Sequence, residues 1–250
     1  MKKLLSVLMA IVLILTVFAG CSNLGKKDNA DTSTDAVTAQ AESTDANSSE
    51  TTASEKIKVK RSNAAEINFG KVSGGKYIND SLGIEFEIPK GYKELTPEEI
   101  AKVYETEVDS ETGKAYTEKP DSDKDVQHFV DAAFENDNKT SIIVFTLSKR
   151  SVESSLVFSD SIPYYMNFDY KYDKEETYEY IDIAGNSFAN DKTIGKGIDH
   201  LYTGGGKPAD YEIDRMHILS KFSKDLFSIH YQSAIDYSEL TFEEFLKCFK

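Results

Sequence analysis

The chain is poor in cysteine, since Cys21 and Cys248 are the only two among its 250 residues. If Cys21 carries a lipid, an intramolecular disulfide is excluded. Basic residues are also scarce, because 29 Lys and Arg stand against 43 Asp and Glu and give a net charge of −14. A surface of this charge repels nucleic acid and anionic membranes. We therefore expect no nucleic-acid partner, and we expect membrane contact only through a lipid.

The sequence also lacks motifs for catalysis and metal binding. The four histidines show no paired helical spacing and predict no zinc site: His128, His200, His217 and His230. The segment 185–189 lacks the second glycine of a nucleophile elbow. The run 121–125 begins like a calcium loop, but Val126 and Ala132 replace the Gly and Glu of an EF-hand. A solvated acidic loop is favoured over a looser cation site, and we predict no enzyme, cofactor or metal.

The N-terminus has the pattern of a secretory signal peptide. Two lysines, Lys2 and Lys3, precede an apolar run from residue 4 to residue 18, which is short for a membrane span. The following Ala-Gly-Cys resembles a bacterial lipobox, although Phe18 stands where Leu, Val or Ile is usual. We predict a signal peptide over residues 1–20 and a diacylglyceryl group on Cys21. The alternative is a secreted protein with Cys21 merely near the cleavage site.

Residues 21–55 are predicted to be a disordered tether. They are acidic and rich in Ser, Thr and Ala, and they contain no aromatic residue. Such a segment cannot bury enough apolar surface to offset its chain entropy. The next stretch, 57–69, contains alternating Ile57 and Val59 within the only basic cluster, which favours an edge strand over a binding patch. We predict a single globular domain over residues 56–250.

The domain begins with a hairpin around residues 76–92. Ile84, Phe86 and Ile88 alternate with acidic residues, which is the period of a half-buried strand. The pattern from Tyr77 to Tyr92 resembles the opening of PsbP/Mog1-like domains, which occur in many bacterial lipoproteins of unassigned activity. The resemblance implies an α+β sandwich with a central antiparallel sheet and flanking helices, and it implies no catalytic residue. The alternative fold is a cystatin-like or lipocalin-like sheet around a ligand cavity.

Helices and further strands follow from local patterns. Thr96 with Glu99, and Thr241 with Glu244, have the spacing of capping boxes, so each pair predicts the start of a helix. Hairpins are predicted at 126–147 and 211–233, and a strand at 188–194. The run 142–145 is apolar throughout and predicts a central strand covered on both faces. A short helix after residue 161 is the weakest of these predictions.

Two classes of function remain open. The favoured one is a non-catalytic lipoprotein of the cell envelope that binds a protein or envelope ligand, and the other is an uncharacterised envelope hydrolase. Candidate binding segments are the loops 105–125 and 195–210 and the tyrosine-rich segment 164–180, although ordinary strand faces explain those tyrosines as well. His217 and His230 could face each other across the last hairpin, and we interpret them as a surface pair. A pocket that holds either histidine near Ser and Asp would favour the hydrolase.

Overall fold

The computed structural model describes residues 57–119, 125–151, 153–159, 175–197, 209–235 and 240–250. The predicted signal peptide, Cys21 and the tether lie outside these residues. So do the predicted helix after residue 161, the tyrosines before residue 175 and the glycine-rich part of loop 195–210. No helix in the described part is long and apolar enough to cross a membrane.

Eleven strands and two short helices are present in the described residues. In chain order they are β1 (Lys71–Ser73), β2 (Lys76–Asn79), β3 (Ile84–Glu87), β4 (Tyr92–Glu94), α1 (Pro97–Val103), β5 (Ala115–Tyr116), β6 (Val126–Asn136), β7 (Ser141–Arg150), β8 (Glu175–Ile183), β9 (Asn186–Gly197), β10 (Ala209–Leu219), β11 (Asp225–Ala234) and α2 (Phe242–Leu246). The fold is therefore β-rich and mostly antiparallel.

The large sheet has the order β4-β6-β7-β11-β10-β9-β8. The short β5 pairs with a different part of β6, on the same edge as β4. All of these pairings are antiparallel. The predicted hairpins β6–β7 and β10–β11 are confirmed. β7 lies between β6 and β11, and its first eight residues are buried, as the apolar run predicts.

The small sheet has the order β1-β2-β3 and covers one face of the large sheet, which we call the inner face. Tyr77 of β2 stacks on Phe145 of β7 with ring centroids 4.1 Å apart. Phe86 of β3 contacts Phe145 and also Phe245 of α2. The Glu87 N–H donates to the Cys248 carbonyl oxygen and the Lys250 N–H to that of Glu85, and these two bonds close the free edge of β3. The main hydrophobic core therefore lies between the two sheets and includes α2.

Both helices begin where the capping boxes predict. The Thr96 side chain accepts the Glu99 N–H while the Glu99 carboxylate accepts the Thr96 N–H, and Thr241 and Glu244 repeat this exchange. Ile100 and Ala101 of α1 pack with Val130 and Val144 on the opposite, outer face of the large sheet. Each helix thus contributes its few buried residues to a different face.

The segment 57–67 crosses one end of the large sheet. It makes isolated bridges in place of a continuous ladder, among them a parallel bridge of Arg61 with Leu219, so the predicted edge strand is wrong. Its apolar residues anchor it instead, because Val59 packs beside Leu219 and Ile67 lies in the main core. Ile57 and Val59 alternate because both contact the end of the sheet, although the segment forms no continuous hydrogen-bonded ladder with a strand.

The loop 105–125 is less exposed than its composition predicts. Ala115 and Tyr116 are buried as β5, and Val108 bridges to Ala115. The Tyr116 hydroxyl donates a 2.7 Å hydrogen bond to Asp109. The loop prediction is therefore wrong at Ala115 and Tyr116, which pairing with β6 buries, whereas residues 110–113 and 118–119 are exposed.

Candidate functional site: a buried polar layer on the outer face

Six polar side chains form a compact group on the outer face, and we call this group the polar layer. It consists of Asp191 and Thr193 of β9, Arg215 and His217 of β10, and Ser228 and His230 of β11. Strand alternation puts them on the same face, since Met216 and Ile229 between them point into the main core. The strand register brings them together, with Arg215 opposite both Asp191 and His230, and with His217 opposite Ser228.

Arg215 and Asp191 form the charged part of the polar layer. Arg215 Nε donates a 2.6 Å hydrogen bond to Asp191 Oδ1, and Nη2 lies 3.2 Å from Thr193 Oγ1. Burial opposes ionisation of Asp191, but the neighbouring His217 and the charge of Arg215 outweigh that effect and lower its pKa to about 2. Asp191 is therefore a carboxylate at neutral pH.

His217 links this pair to Ser228. Its Nδ1 lies 2.7 Å from Ser228 Oγ, and its Nε2 lies 3.9 Å from Asp191 Oδ2. A carboxylate on the Nε2 side favours the tautomer with hydrogen on Nε2. In that tautomer Nδ1 accepts the hydrogen bond from the Ser228 hydroxyl. The three residues thus form a serine–imidazole–carboxylate chain.

His230 completes the polar layer and is its least satisfied member. Its ring meets that of His217 edge to face, with centroids 6.2 Å apart. Among the described residues its Nε2 is buried without a hydrogen-bond partner. Burial, together with the nearby His217 and Arg215, lowers the pKa of His230 to about 3. His230 is therefore neutral at physiological pH and has one unused polar atom.

The interpretation of the two histidines as a surface pair is wrong. His217 is 4% exposed and His230 is 8% exposed, and they lie diagonally across the hairpin rather than opposite each other. The sequence analysis also missed Asp191, Arg215 and Ser228. For Ser228 a sequence signal exists, because the apolar run 226–231 has polar residues only at 228 and 230, whereas Asp191 and Arg215 have no such signal.

Other residues singled out from the sequence are not part of the polar layer. Tyr178 and Tyr180 lie on β8 as ordinary strand residues, and Tyr180 is 41% exposed. Cys248 is half-buried and its thiol contacts the Glu244 carbonyl oxygen at 3.5 Å. No cluster of three or more His, Cys, Asp or Glu in the described part of the chain could hold a metal ion.

The inner face carries a separate buried carboxylate. Asp214 accepts a 2.8 Å hydrogen bond from Asn190 Nδ2, and the two remaining side-chain oxygens of this pair have no partner in the described structure. Burial raises the pKa of Asp214 to about 7, although Asn190 and Lys192 act in the opposite direction. Lys192 itself pairs with Glu212.

The polar layer has three of the four parts that a serine hydrolase needs. A nucleophile, a base and an orienting acid are present in Ser228, His217 and Asp191. The missing part is a set of main-chain donors for an oxyanion. Ser228 lies on a central strand, paired with His217 on one side and Thr146 on the other, so the N–H groups around it are engaged in the sheet. The geometry therefore suits hydrogen bonding to a ligand better than acyl transfer.

The chain was compared with protein-family models, with curated proteins and with solved structures, and none of the three comparisons gave a match.

Proposed function

We propose that this protein is a non-catalytic lipoprotein on the outer side of the cell membrane, whose domain binds a polar ligand of the envelope at the polar layer. The observation that carries the binding proposal is the buried, unpaired Nε2 of His230. A buried polar atom without a partner destabilises a protein by about 1–3 kcal/mol, so such atoms are rare in native structures. A ligand that hydrogen-bonds His230 removes this cost.

The character of the polar layer defines the ligand. Asp191 and Arg215 neutralise each other, and His230 is neutral, so neither the ion pair nor His230 offers a net charge to attract an ion. A neutral imidazole can donate or accept one hydrogen bond at Nε2. We therefore propose a ligand that presents a neutral polar group, such as a hydroxyl or an amide.

The anchor rests on the sequence alone. The basic start, the apolar run and the Ala-Gly-Cys ending support a diacylglyceryl group on Cys21, and two acyl chains anchor a protein stably. The finer assignment to the PsbP/Mog1-like fold is likewise proposed. Its support is the pattern from Tyr77 to Tyr92, followed by a capped helix and a largely antiparallel sheet.

The anchor is tested by Cys21→Ser in the full chain. We expect the variant to leave the membrane fraction and to accumulate as unprocessed precursor or in the medium. A processed Cys21→Ser protein that stays in the membrane would refute the lipid anchor.

The ligand site is tested by thermal unfolding in fractions of envelope extract. A ligand that binds only the folded state raises the melting temperature. We expect one small-molecule fraction to raise it for the wild-type chain and not for His230→Phe. His128→Phe is the matched control, because His128 lies on the outer face of β6 and its Nδ1 is 2.7 Å from Ser148. An equal rise in all three proteins, or none in the wild type, would contradict the proposed site.

A hydrolase is the second candidate, favoured by the contact of His217 with Ser228 and its approach to Asp191. It predicts turnover of a generic ester that disappears in both Ser228→Ala and His217→Ala and persists in His128→Phe. That result would replace the binding proposal. We expect no turnover in the wild-type chain.

A further inference from the structure

One end of the large sheet exposes three large apolar side chains close together. They are Leu156, Val157 and Phe222, with exposed fractions of 57%, 51% and 60%. Phe222 lies in the turn between β10 and β11, and the other two lie in the segment after β7. We call this surface, with the basic residues around it, the basic pole.

Hydrogen bonds hold the two exposed segments side by side. The Phe158 N–H donates to the Ser223 carbonyl oxygen at 2.7 Å. Lys224 Nζ donates to the carbonyl oxygen of Leu156 at 3.1 Å and to that of Ser154. Phe158 is also buried beside Val59. The apolar side chains are therefore presented by a fixed part of the domain.

Basic residues surround these apolar side chains. The segment 57–67 brings Lys58, Lys60 and Arg61 to this end, and Arg61 Nε bonds Ser223 Oγ at 2.7 Å. Lys221 lies 5.6 Å from the ring of its neighbour Phe222. Acidic residues also lie at this end. Glu66 pairs with Lys149 and Asp225 is buried, whereas Asp125, Glu153 and Asp182 are exposed.

We propose that the basic pole is a membrane-contacting surface that binds anionic lipid headgroups and inserts Phe222 and Leu156 into the interface. The net charge of the chain predicts repulsion from such a membrane, but the basic cluster is concentrated at this end. Lys and Arg near a bilayer are attracted by its negative surface potential, and exposed aromatic side chains favour the interface. Charge and apolar exposure therefore point to the same occupant.

The position of the tether supports this occupant. Residue 57, where the described domain begins, lies at the same end of the sheet, because Tyr180 near the end of β8 donates to the Lys58 carbonyl oxygen. As a coil, the roughly 35 residues from Cys21 span about 30–35 Å. A tether of this length keeps the basic pole near the membrane at an effective concentration on the order of millimolar, so a weak affinity for lipid is sufficient. The orientation in which the basic pole faces the membrane rests on the proposed anchor, whereas the binding of lipid by the pole does not.

The test uses the chain from Ser22 to Lys250, which lacks the leader and the lipid. Every described strand, helix and core residue lies after residue 56, so this chain keeps them all. Its sedimentation with vesicles of phosphatidylglycerol and phosphatidylcholine is compared with that on phosphatidylcholine alone. We expect binding only to the anionic vesicles. We also expect at least a fivefold loss of binding in Phe222→Ser/Leu156→Ser and in Lys60→Glu/Lys221→Glu.

Matched controls lie at the other end of the large sheet. Ile235 is 47% exposed after β11, and Lys139 is exposed in the turn between β6 and β7. We expect Ile235→Ser and Lys139→Glu to bind anionic vesicles like the wild type. Unchanged melting temperatures verify that all variants are folded.

A fluorescent reporter tests insertion directly. The chain contains no tryptophan, so Phe222→Trp introduces the only one. We expect its emission to shift to the blue with anionic vesicles, whereas Ile235→Trp should not shift. Failure of the wild type to bind anionic vesicles would overturn the proposal, as would equal losses in the pole and control variants. Self-association that Phe222→Ser abolishes, without vesicle binding, would also overturn it and identify a second copy as the occupant.

Discussion

The hydroxyl of Tyr77 donates a 2.6 Å hydrogen bond to Oδ2 of Asp131 and thereby ties the small sheet to the large one. Asp131 lies at the register shift of β6 between Val130 and Ala132. The same oxygen accepts the Gly70 N–H at 2.7 Å, and Oδ1 lies 2.9 Å from Lys114 Nζ. Burial and the charge of Asp131 raise the pKa of Tyr77 well above its usual value. The tyrosine therefore stays protonated and remains a donor.

Tyr77→Phe removes this link, together with a long 3.5 Å hydrogen bond from Asn79 Nδ2, and keeps the ring in the core. Because the acceptor is a buried carboxylate, we expect the free energy of unfolding to fall by about 1.5–3 kcal/mol. Tyr180→Phe is the matched control, since the Tyr180 hydroxyl bonds a main-chain oxygen at an exposed site and should change stability by less than about 0.5 kcal/mol. Urea unfolding measures both values, and equal losses would show that the Tyr77–Asp131 hydrogen bond has no special role.

Gly70→Ala tests how closely the chain passes the Tyr77 ring. A Cβ at Gly70 would lie 2.4 Å from the ring, which is held in place by its hydrogen bond and by Phe145. Overpacking of this kind destabilises by about 1–3 kcal/mol. We expect that loss in urea unfolding and a smaller loss in a Tyr77→Leu background, because the shorter side chain leaves room. A Gly70→Ala protein as stable as the wild type would mean that the ring moves freely.

Asp214→Asn should remove a pH dependence of stability. The folded-state pKa of Asp214, about 7, lies above the unfolded value of about 3.9, so its stabilising effect is complete below pH 4 and is lost as the pH rises through 7. We expect Asp214→Asn to be more stable than the wild type at pH 8, by on the order of 2–4 kcal/mol, with little difference at pH 4. Urea unfolding at both pH values measures this, and a constant difference would contradict the raised pKa.

His230→Phe should act in the opposite direction. The folded-state pKa of about 3 lies below the unfolded value of about 6.5, so the contribution of His230 is present above pH 6.5 and is lost as the pH falls towards 3. We expect His230→Phe to gain stability over the wild type as the pH falls from 7 to 4, by on the order of 2–4 kcal/mol. His128→Phe serves as the comparison, and parallel pH curves for wild type and His230→Phe would show that folding does not lower the pKa of His230.

Limited proteolysis tests the start of the domain. The sequence predicts first cuts between residues 22 and 54, and the burial of Val59 and Ile67 narrows the start of the resistant core to the residues just before 59. We expect mass spectrometry to find a stable fragment that retains Val59. A fragment beginning after Ile67 would show that the crossing segment is not part of the stable domain.

Features that depend on nearby residues were predictable from the sequence. The two capping boxes join residues three positions apart, so Thr96 and Thr241 mark their helices without knowledge of the rest of the fold. The strands around Phe86 and Phe145 follow from local alternation or from a continuous apolar run. Which of these strands and helices contact each other depends on residues far apart in the chain, so no local pattern predicts it.

The polar layer could not be predicted for the same reason. His217 and Ser228 meet through the register of one hairpin, whereas Asp191 reaches them through a third strand. Alternation predicts that polar residues face solvent, and that rule fails where a sheet is covered on both faces. Ser228 and His230 are buried because both faces of their strand are covered, as the burial of every residue of β11 shows.

The order of the large sheet also has a consequence for the rate of folding. β6 and β7 form one hairpin, and β8 to β11 form a second chain-local array, so each can assemble from neighbouring residues. They join only where residues 141–150 pair with residues 225–234, which closes a long loop. Non-local pairing of this kind slows folding. Contacts at this seam, such as Phe145 opposite Ile229, should therefore control how fast the domain folds, whereas contacts within β8 and β9 should mainly control how fast it unfolds.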